Sequence, residues 1–185
     1  MKAALAAFVL RLLGWRICGE LPTLKKAVLI VAPHTSNWDF PLGVLARAVV
    51  KRKISFIGKA TLFKPPFGFL FRWLGGFPVS RDKKEDTVAF VVSLFERHED
   101  FLFALSPEGT RAYTPKLRSG FYQIALQAKV PIVMVGFDFE RKEIQLQQPF
   151  MPTGDFKADM NQILAYFKTV KGLHPENGIV HQTVD

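Results

Sequence analysis

His34 and Asp39 are the side chains whose types and spacing point most directly to chemistry, a histidine with a carboxylate five positions on. Within one helix, five residues turn through about 500°, a net of about 140°, and the two side chains would diverge. They meet only if His34 lies in a loop and Asp39 in the first turn of the helix that follows. The residues between them, Thr35, Ser36 and Asn37, are all types that start helices. An imidazole beside a carboxylate is a general base held in one tautomer, able to take a proton from a hydroxyl. The same residues also spell an ordinary capping box between Ser36 and Asp39, with His34 a plain loop residue. Both readings stand on this segment alone.

Three other segments sit where strands begin or end: Gly75 to Arg81, Ser106 to Arg111, and Val130 to Gly136. In the second, Gly109 permits a left-handed turn or the close approach of a ligand. Arg111 offers a planar fork that fits phosphate or carboxylate, and Glu108 stands close enough in sequence to orient it. Pro-Glu-Gly is equally a plain turn, and an arginine after such a turn commonly faces solvent. Arg81 lies in a stretch that is basic throughout.

These residues need a scaffold. Ala27 to Ala32 is a short apolar run halted by Pro33, which reads as a buried strand with the polar cluster at its carboxyl edge. A helix from about Asp39 to Val50 follows, then a short strand at Ile54 to Ile57. Leu62 to Leu74 reads as helical after Pro65 and Pro66, since the prolines preclude one continuous element. Phe77 to Val79 is extended. Asp86 to His98 is a helix with a Val88, Val91, Val92 and Phe95 stripe and Asp86 as its cap. Phe101 to Leu105 is a strand, Ser119 to Ala128 a helix, and Pro131 to Gly136 a buried strand with proline in its first position. Glu143 to Gln147 alternates as a half-exposed strand would, and Phe156, Met160, Ile163, Leu164 and Phe167 mark a last amphipathic helix. Strands separated by helices predict an α/β fold, a single domain over residues 1–185 with a central mixed or mostly parallel sheet flanked by helices. The motif-bearing core spans residues 27–136.

Residues 1–20 predict an N-terminal amphipathic helix. The apolar stretch from Ala3 to Leu10 is eight residues, against about 20 for a membrane span. Arg11 and Arg16 interrupt it, and no small-residue cleavage site of a leader follows. Leu5, Phe8, Leu12 and Trp15 recur at helical spacing, with the arginines free to snorkel. The helix lies on a membrane or packs on the body of the protein.

The chain carries a formal charge of +9. Between Arg47 and Lys84 there are ten basic residues and one acid, Asp82. Phe56, Phe63, Phe67, Phe69, Phe71, Trp73 and Phe77 are interleaved with them. Such a field attracts an anionic partner, either nucleic acid or a lipid headgroup or phosphorylated substrate. No zinc-finger, RNA-binding aromatic or helix-turn-helix pattern accompanies it, and contact with a membrane interface accounts for the same residues more simply. Cys18 is the only cysteine, which leaves no intramolecular disulfide and no cysteine-based metal site. His98, His174 and His181 have no metal-binding spacing and read as surface or terminal residues.

Taken together, the segments resemble the glycerolipid acyltransferase family, whose best-known members convert lysophosphatidic acid to phosphatidic acid. That family is recognised by four blocks in fixed order, matched here by His34 with Asp39, by Gly75 to Arg81, by Pro107 to Arg111, and by Val130 to Gly136. The resemblance covers roughly Val28 to Gly136. It departs from the family at Ser106, where an aromatic is usual, and at Pro33, where many phospholipid-making members carry Asn. It implies transfer of a fatty acyl group from a coenzyme A or acyl-carrier-protein thioester to the hydroxyl of a lysophospholipid-like acceptor such as 1-acylglycerol 3-phosphate. His34 would be the base and Asp39 its orienting partner. Arg81, Glu108, Gly109, Thr110 and Arg111 would form the acceptor pocket, and Gly75 and Pro131 would shape the acyl pocket or the scaffold. No cofactor, no metal and no acyl-enzyme are implied. The partners would be the lysolipid, an acyl-carrier protein if that is the donor, and the cytoplasmic face of a membrane bound peripherally or monotopically; nucleic acid is not expected. Two rival functions remain: a lipid ester or thioester hydrolase using the same His-Asp pair, and a nucleic-acid-binding module built on residues 47–84.

Overall fold

The computed structural model describes residues 3–79 and 87–179. In chain order the elements are α1 (Ala3–Leu12), β1 (Arg16–Cys18), β2 (Lys26–Ala32), α2 (Asp39–Val49), β3 (Ile54–Lys59), α3 (Gly68–Trp73) and β4 (Gly76–Val79). There follow α4 (Thr87–Arg97), β5 (Phe101–Leu105), α5 (Gly120–Ala128), β6 (Ile132–Asp138), β7 (Glu143–Leu146) and α6 (Phe156–Phe167). The strands form one sheet in the order β1-β7-β6-β2-β5-β3-β4. All neighbours are parallel except β6 and β7. The expected mixed, mostly parallel α/β sheet is what the chain builds.

β2 organises the core. It is apolar on both faces because both are covered, as parallel sheets require. Val28 pairs with Phe103 on one side and Ile132 on the other. Val28, Ile30 and Ala32 join those neighbours beneath α4, α5 and α6. The alternate residues Ala27 and Leu29 face the other way, with Leu102, Val133 and Val135, toward α1 and α2. The result is three layers.

The helix after β2 and the helix after β5 therefore lie on opposite faces, although the two strands are neighbours. A crevice opens at their carboxyl ends, the place where open α/β sheets bind ligands. Both principal motifs fall there.

Several boundaries differ from the sequence reading. The N-terminal helix ends at Leu12, and Arg16–Cys18 forms an edge strand, so Cys18 lies in β1 rather than in a membrane helix. Ala6 and Leu10 are buried while Leu5, Phe8 and Leu12 are exposed. Trp15 leaves the expected exposed stripe and packs edge-on against Phe139 at 4.9 Å. Arg16 does not snorkel; its Nε donates to Glu143 Oε1 at 3.0 Å. β7 is more buried than its alternation suggests, because β1 covers the edge that the sequence leaves open. The helix expected from Asp86 to His98 is described from Thr87 to Arg97, and its proposed cap lies outside the described residues.

Candidate active site

The loop from Pro33 to Trp38 turns β2 into α2 and places His34 and Asp39 side by side. His34 Nδ1 lies 2.8 Å from Asp39 Oδ2. The same oxygen accepts the Ser36 backbone N–H at 3.0 Å, and Ser36 Oγ accepts the Trp38 N–H at 3.1 Å. One carboxylate oxygen thus serves the imidazole and the backward arm of the expected capping box; the forward arm is not formed, and α2 takes Trp38 as its N-cap with no side-chain cap bond. Asp39 is 4% exposed, which keeps water from competing for that oxygen. His34 is partly open to solvent, and with Nδ1 engaged its Nε2 is the nitrogen left to exchange a proton.

Glu108 ties this loop to the end of β5. It is 2% exposed, and its Oε1 accepts the His34 backbone N–H at 2.8 Å. Its Oε2 accepts the Ser106 hydroxyl at 2.6 Å. Burial pushes the Glu108 carboxyl up, opposed by those two donors. Ser106, the departure from the family pattern, therefore holds the carboxylate that holds the His34 backbone; a phenylalanine there would supply no hydroxyl. Gly109 follows at φ +65°, and a Cβ on it would lie 2.7 Å from Arg118 Nε. The turn is tight enough that the guanidinium rests against bare backbone.

A cavity of about 260 Å³ runs from this pair beneath α2. His34, Asp39 and Ser106 line it together with the apolar Leu29, Val31, Gly43, Val135, Phe137, Ile144 and Leu146. Arg47 also borders it, spending its guanidinium on the Ile54 and Leu74 carbonyls, with burial drawing its pKa down. The walls suit a hydrocarbon chain. The sequence reading missed this cavity, because its lining comes from strands and a helix far apart in the chain.

A family profile described as Acyltransferase matches residues 17–138. The chain belongs to the acyltransferase family. Comparison with curated proteins finds no match. Among solved structures, the 1-acyl-sn-glycerophosphate (LPA) acyltransferase PlsC from Thermotoga maritima superposes with a TM-score of 0.61 at 16% identity, covering 90% of this chain and 75% of that one. At that identity the likeness speaks for the fold.

Within this acyltransferase the remaining expected residues are dispersed. Thr110 and Arg111 are exposed on the loop after Gly109, where Thr110 Oγ1 accepts the Ala112 N–H at 3.3 Å. Arg81 lies outside the described residues. Gly75, at φ +85°, links α3 to β4, and Pro131 accepts the Val28 N–H just before β6 at 2.9 Å. Neither is among the residues that line the cavity. Cys18 sits three strands from β2, about 14 Å at ordinary strand spacing. His174, read from sequence as a surface or terminal residue, donates its backbone N–H to Thr35 Oγ1 at 3.2 Å. His98 stacks on Phe101, and His181 lies outside the described residues. No metal-binding cluster occurs among the described residues.

The interleaved aromatics divide into two sets. Phe56 and Phe71 pack on Phe40, Phe63 on Phe71, and Phe77 on Phe101. Phe67, Phe69 and Trp73 are 66%, 73% and 70% exposed. No helix among the described residues is long and apolar enough to cross a membrane.

Proposed function

We propose that this acyltransferase moves a fatty acyl group from a coenzyme A or acyl-carrier-protein thioester to the hydroxyl of a lysophospholipid-like acceptor such as 1-acylglycerol 3-phosphate. The observation that carries the reading is the apolar cavity ending at the His34–Asp39 pair. Burying a chain there is favourable by about 0.8 kcal/mol per CH₂, which brings the thioester carbonyl to the imidazole. His34 Nε2 takes the acceptor's hydroxyl proton as the oxygen attacks the thioester carbonyl carbon. Asp39 holds the ring and stabilises the imidazolium. Collapse of the tetrahedral adduct breaks the C–S bond, and the imidazolium proton goes to the departing sulfur. Products are an ester and a free thiol.

Direct transfer is favoured over an acyl-enzyme by the distance of Cys18 from the pair. The acceptor's phosphate would meet Arg111 and Arg81, since a guanidinium fork binds that anion bidentately. The exposed Leu5, Phe8 and Leu12 of α1 and Phe67, Phe69 and Trp73 around α3, with Lys64 and Arg72 nearby in sequence, suit peripheral docking on an anionic bilayer. The seven interleaved aromatics favour this reading over a nucleic-acid surface, because Phe63 is buried and Phe56, Phe71 and Phe77 are half-buried against other rings, which leaves three for a surface.

The test offers acyl-coenzyme A and acyl-carrier protein against a panel of lyso-acceptors and measures both thiol release and product mass. Transfer requires an acyl ester product and thiol release that speeds up with acceptor. Thiol release indifferent to every acceptor, with free fatty acid as product, would make the protein a thioesterase instead.

A further inference from the structure

The segment after α6 lies outside the region matched by the family profile, yet it reaches both functional loops. Its start is laced to the end of β6, where the Phe139 N–H donates to the Lys171 carbonyl at 2.8 Å. Gly172 is then pressed against the histidine loop. A Cβ at this position would lie 2.6 Å from Thr35 Oγ1, 2.9 Å from Thr35 Cγ2 and 3.4 Å from Pro33 Cβ. Two residues on, the His174 N–H donates to that same Thr35 hydroxyl at 3.2 Å. Asn177 Oδ1 next accepts the Tyr113 N–H at 3.2 Å, on the loop that carries Arg111.

Thr35 is 4% exposed and directly precedes nothing but loop until Asp39, with His34 as its neighbour. We propose that residues 171–177 form a strap that sets the histidine loop and the arginine loop against one another, with Gly172 and Asn177 as positioning residues for acyl transfer. Glycine is required at 172 because the strap backbone touches the Thr35 side chain. Thr35 is β-branched and stiff about χ1, so a methyl at 172 passes its displacement to the loop backbone beside His34. A displacement near 1 Å at a catalytic group costs up to about 10²-fold. The inference rests on the reading of His34 as the base.

Gly172→Ala should lower kcat by about 10- to 100-fold while the donor KM stays near wild type. Thr35→Ala deletes the two atoms that the new methyl would crowd and leaves only the ordinary contact with Pro33 Cβ at 3.4 Å, so Gly172→Ala/Thr35→Ala should return to the kcat of Thr35→Ala alone. Asn177→Ala should raise the acceptor KM several-fold with kcat little changed. If Gly172→Ala does not accumulate as folded protein, the double variant is compared with Thr35→Ala directly, and equal kcat values are expected. A Gly172→Ala enzyme with wild-type kcat, a loss that Thr35→Ala does not relieve, or an unchanged acceptor KM in Asn177→Ala would overturn the strap. His34→Ala is assayed alongside: wild-type turnover there would overturn the catalytic reading and the strap with it, whereas an inactive His34→Ala beside an unaffected Gly172→Ala would overturn the strap alone.

Discussion

Glu108 Oε1 accepts the backbone N–H of His34 across the crevice between β2 and β5, at 2.8 Å. The contact involves backbone on one side and a buried carboxylate on the other, so it fixes where the histidine loop leaves the sheet without engaging the imidazole. The imidazole is left to Asp39. Two carboxylates thus divide the work, one placing the loop and the other orienting the ring.

Glu108 also leaves a signature in stability against pH. Burial raises its carboxyl above the ordinary value of 4.5, so the folded state holds this proton more tightly than the unfolded chain. The group's contribution is fully present below the unfolded value and is lost as pH rises through the folded one. Glu108→Gln does not titrate. The stability of wild type minus that of Glu108→Gln should therefore decline upward from about pH 4 and level off above the raised value. Chemical unfolding across about pH 4 to about pH 8 measures it, and a difference that is flat throughout contradicts the assignment.

Asp39→Asn tests the shared oxygen. The amide can keep one oxygen for His34 and Ser36, and its NH₂ takes the place of Asp39 Oδ1, which has no partner among the described residues. One unpartnered polar atom thus replaces another, and the stability lost comes from weakening two charge-assisted hydrogen bonds to neutral ones, about 1–3 kcal/mol, on the order of 5 °C in Tm for a chain this size. Loss of the charge opposite the imidazolium should lower kcat by about 10²-fold or more. Melting and turnover measured together should both fall; a loss of Tm with normal turnover would reduce Asp39 to a helix cap.

Arg111→Lys should raise the KM of a phosphate-bearing acceptor several-fold and leave the donor KM nearly unchanged, because lysine lacks the paired fork. Steady-state kinetics with each substrate varied in turn decides the matter. Equal effects on both substrates would place Arg111 outside the acceptor site.

Membrane contact is best tested on the surface. Removing residues 1–16 would take Ala6 and Leu10 from beneath α2 and Trp15 from the core, so such a deletion confounds docking with folding. Serine at Leu5, Phe8 and Leu12, or at Phe69 and Trp73, changes only exposed side chains. Each large apolar group that enters a bilayer contributes up to about 1.5–3 kcal/mol, and either set should weaken binding to anionic vesicles at least about tenfold. Sedimentation with such vesicles reads it out; unchanged binding by both variants would refute docking through these faces.

What could be read from the sequence followed local rules. A histidine and an aspartate separated by helix-starting residues can meet only across a loop-to-helix turn, and they do. The central strands announce themselves as apolar runs because they are buried on both faces. β1 has three residues, too few for a period, and it exists because it pairs with β7, where Arg16 lies opposite Glu143, 127 positions later. Ser106 breaks the aromatic pattern of its block, and its role comes from the hydroxyl it donates to Glu108. The strap is silent in sequence for the same reason: its contacts to Thr35 and Tyr113 span 139 and 64 residues, each joining a backbone N–H to a distant side chain. Nothing in a residue type records such contacts.

The central claim is that His34 removes the acceptor's proton. Wild type and His34→Ala are compared for ester formation from a thioester donor and a lyso-acceptor, with folding checked by melting. Turnover should fall by about 10²- to 10⁴-fold in the variant, with Tm little changed and acceptor binding retained. A folded His34→Ala enzyme that keeps more than about a tenth of wild-type ester formation, far above the loss expected for a missing general base, would contradict the account.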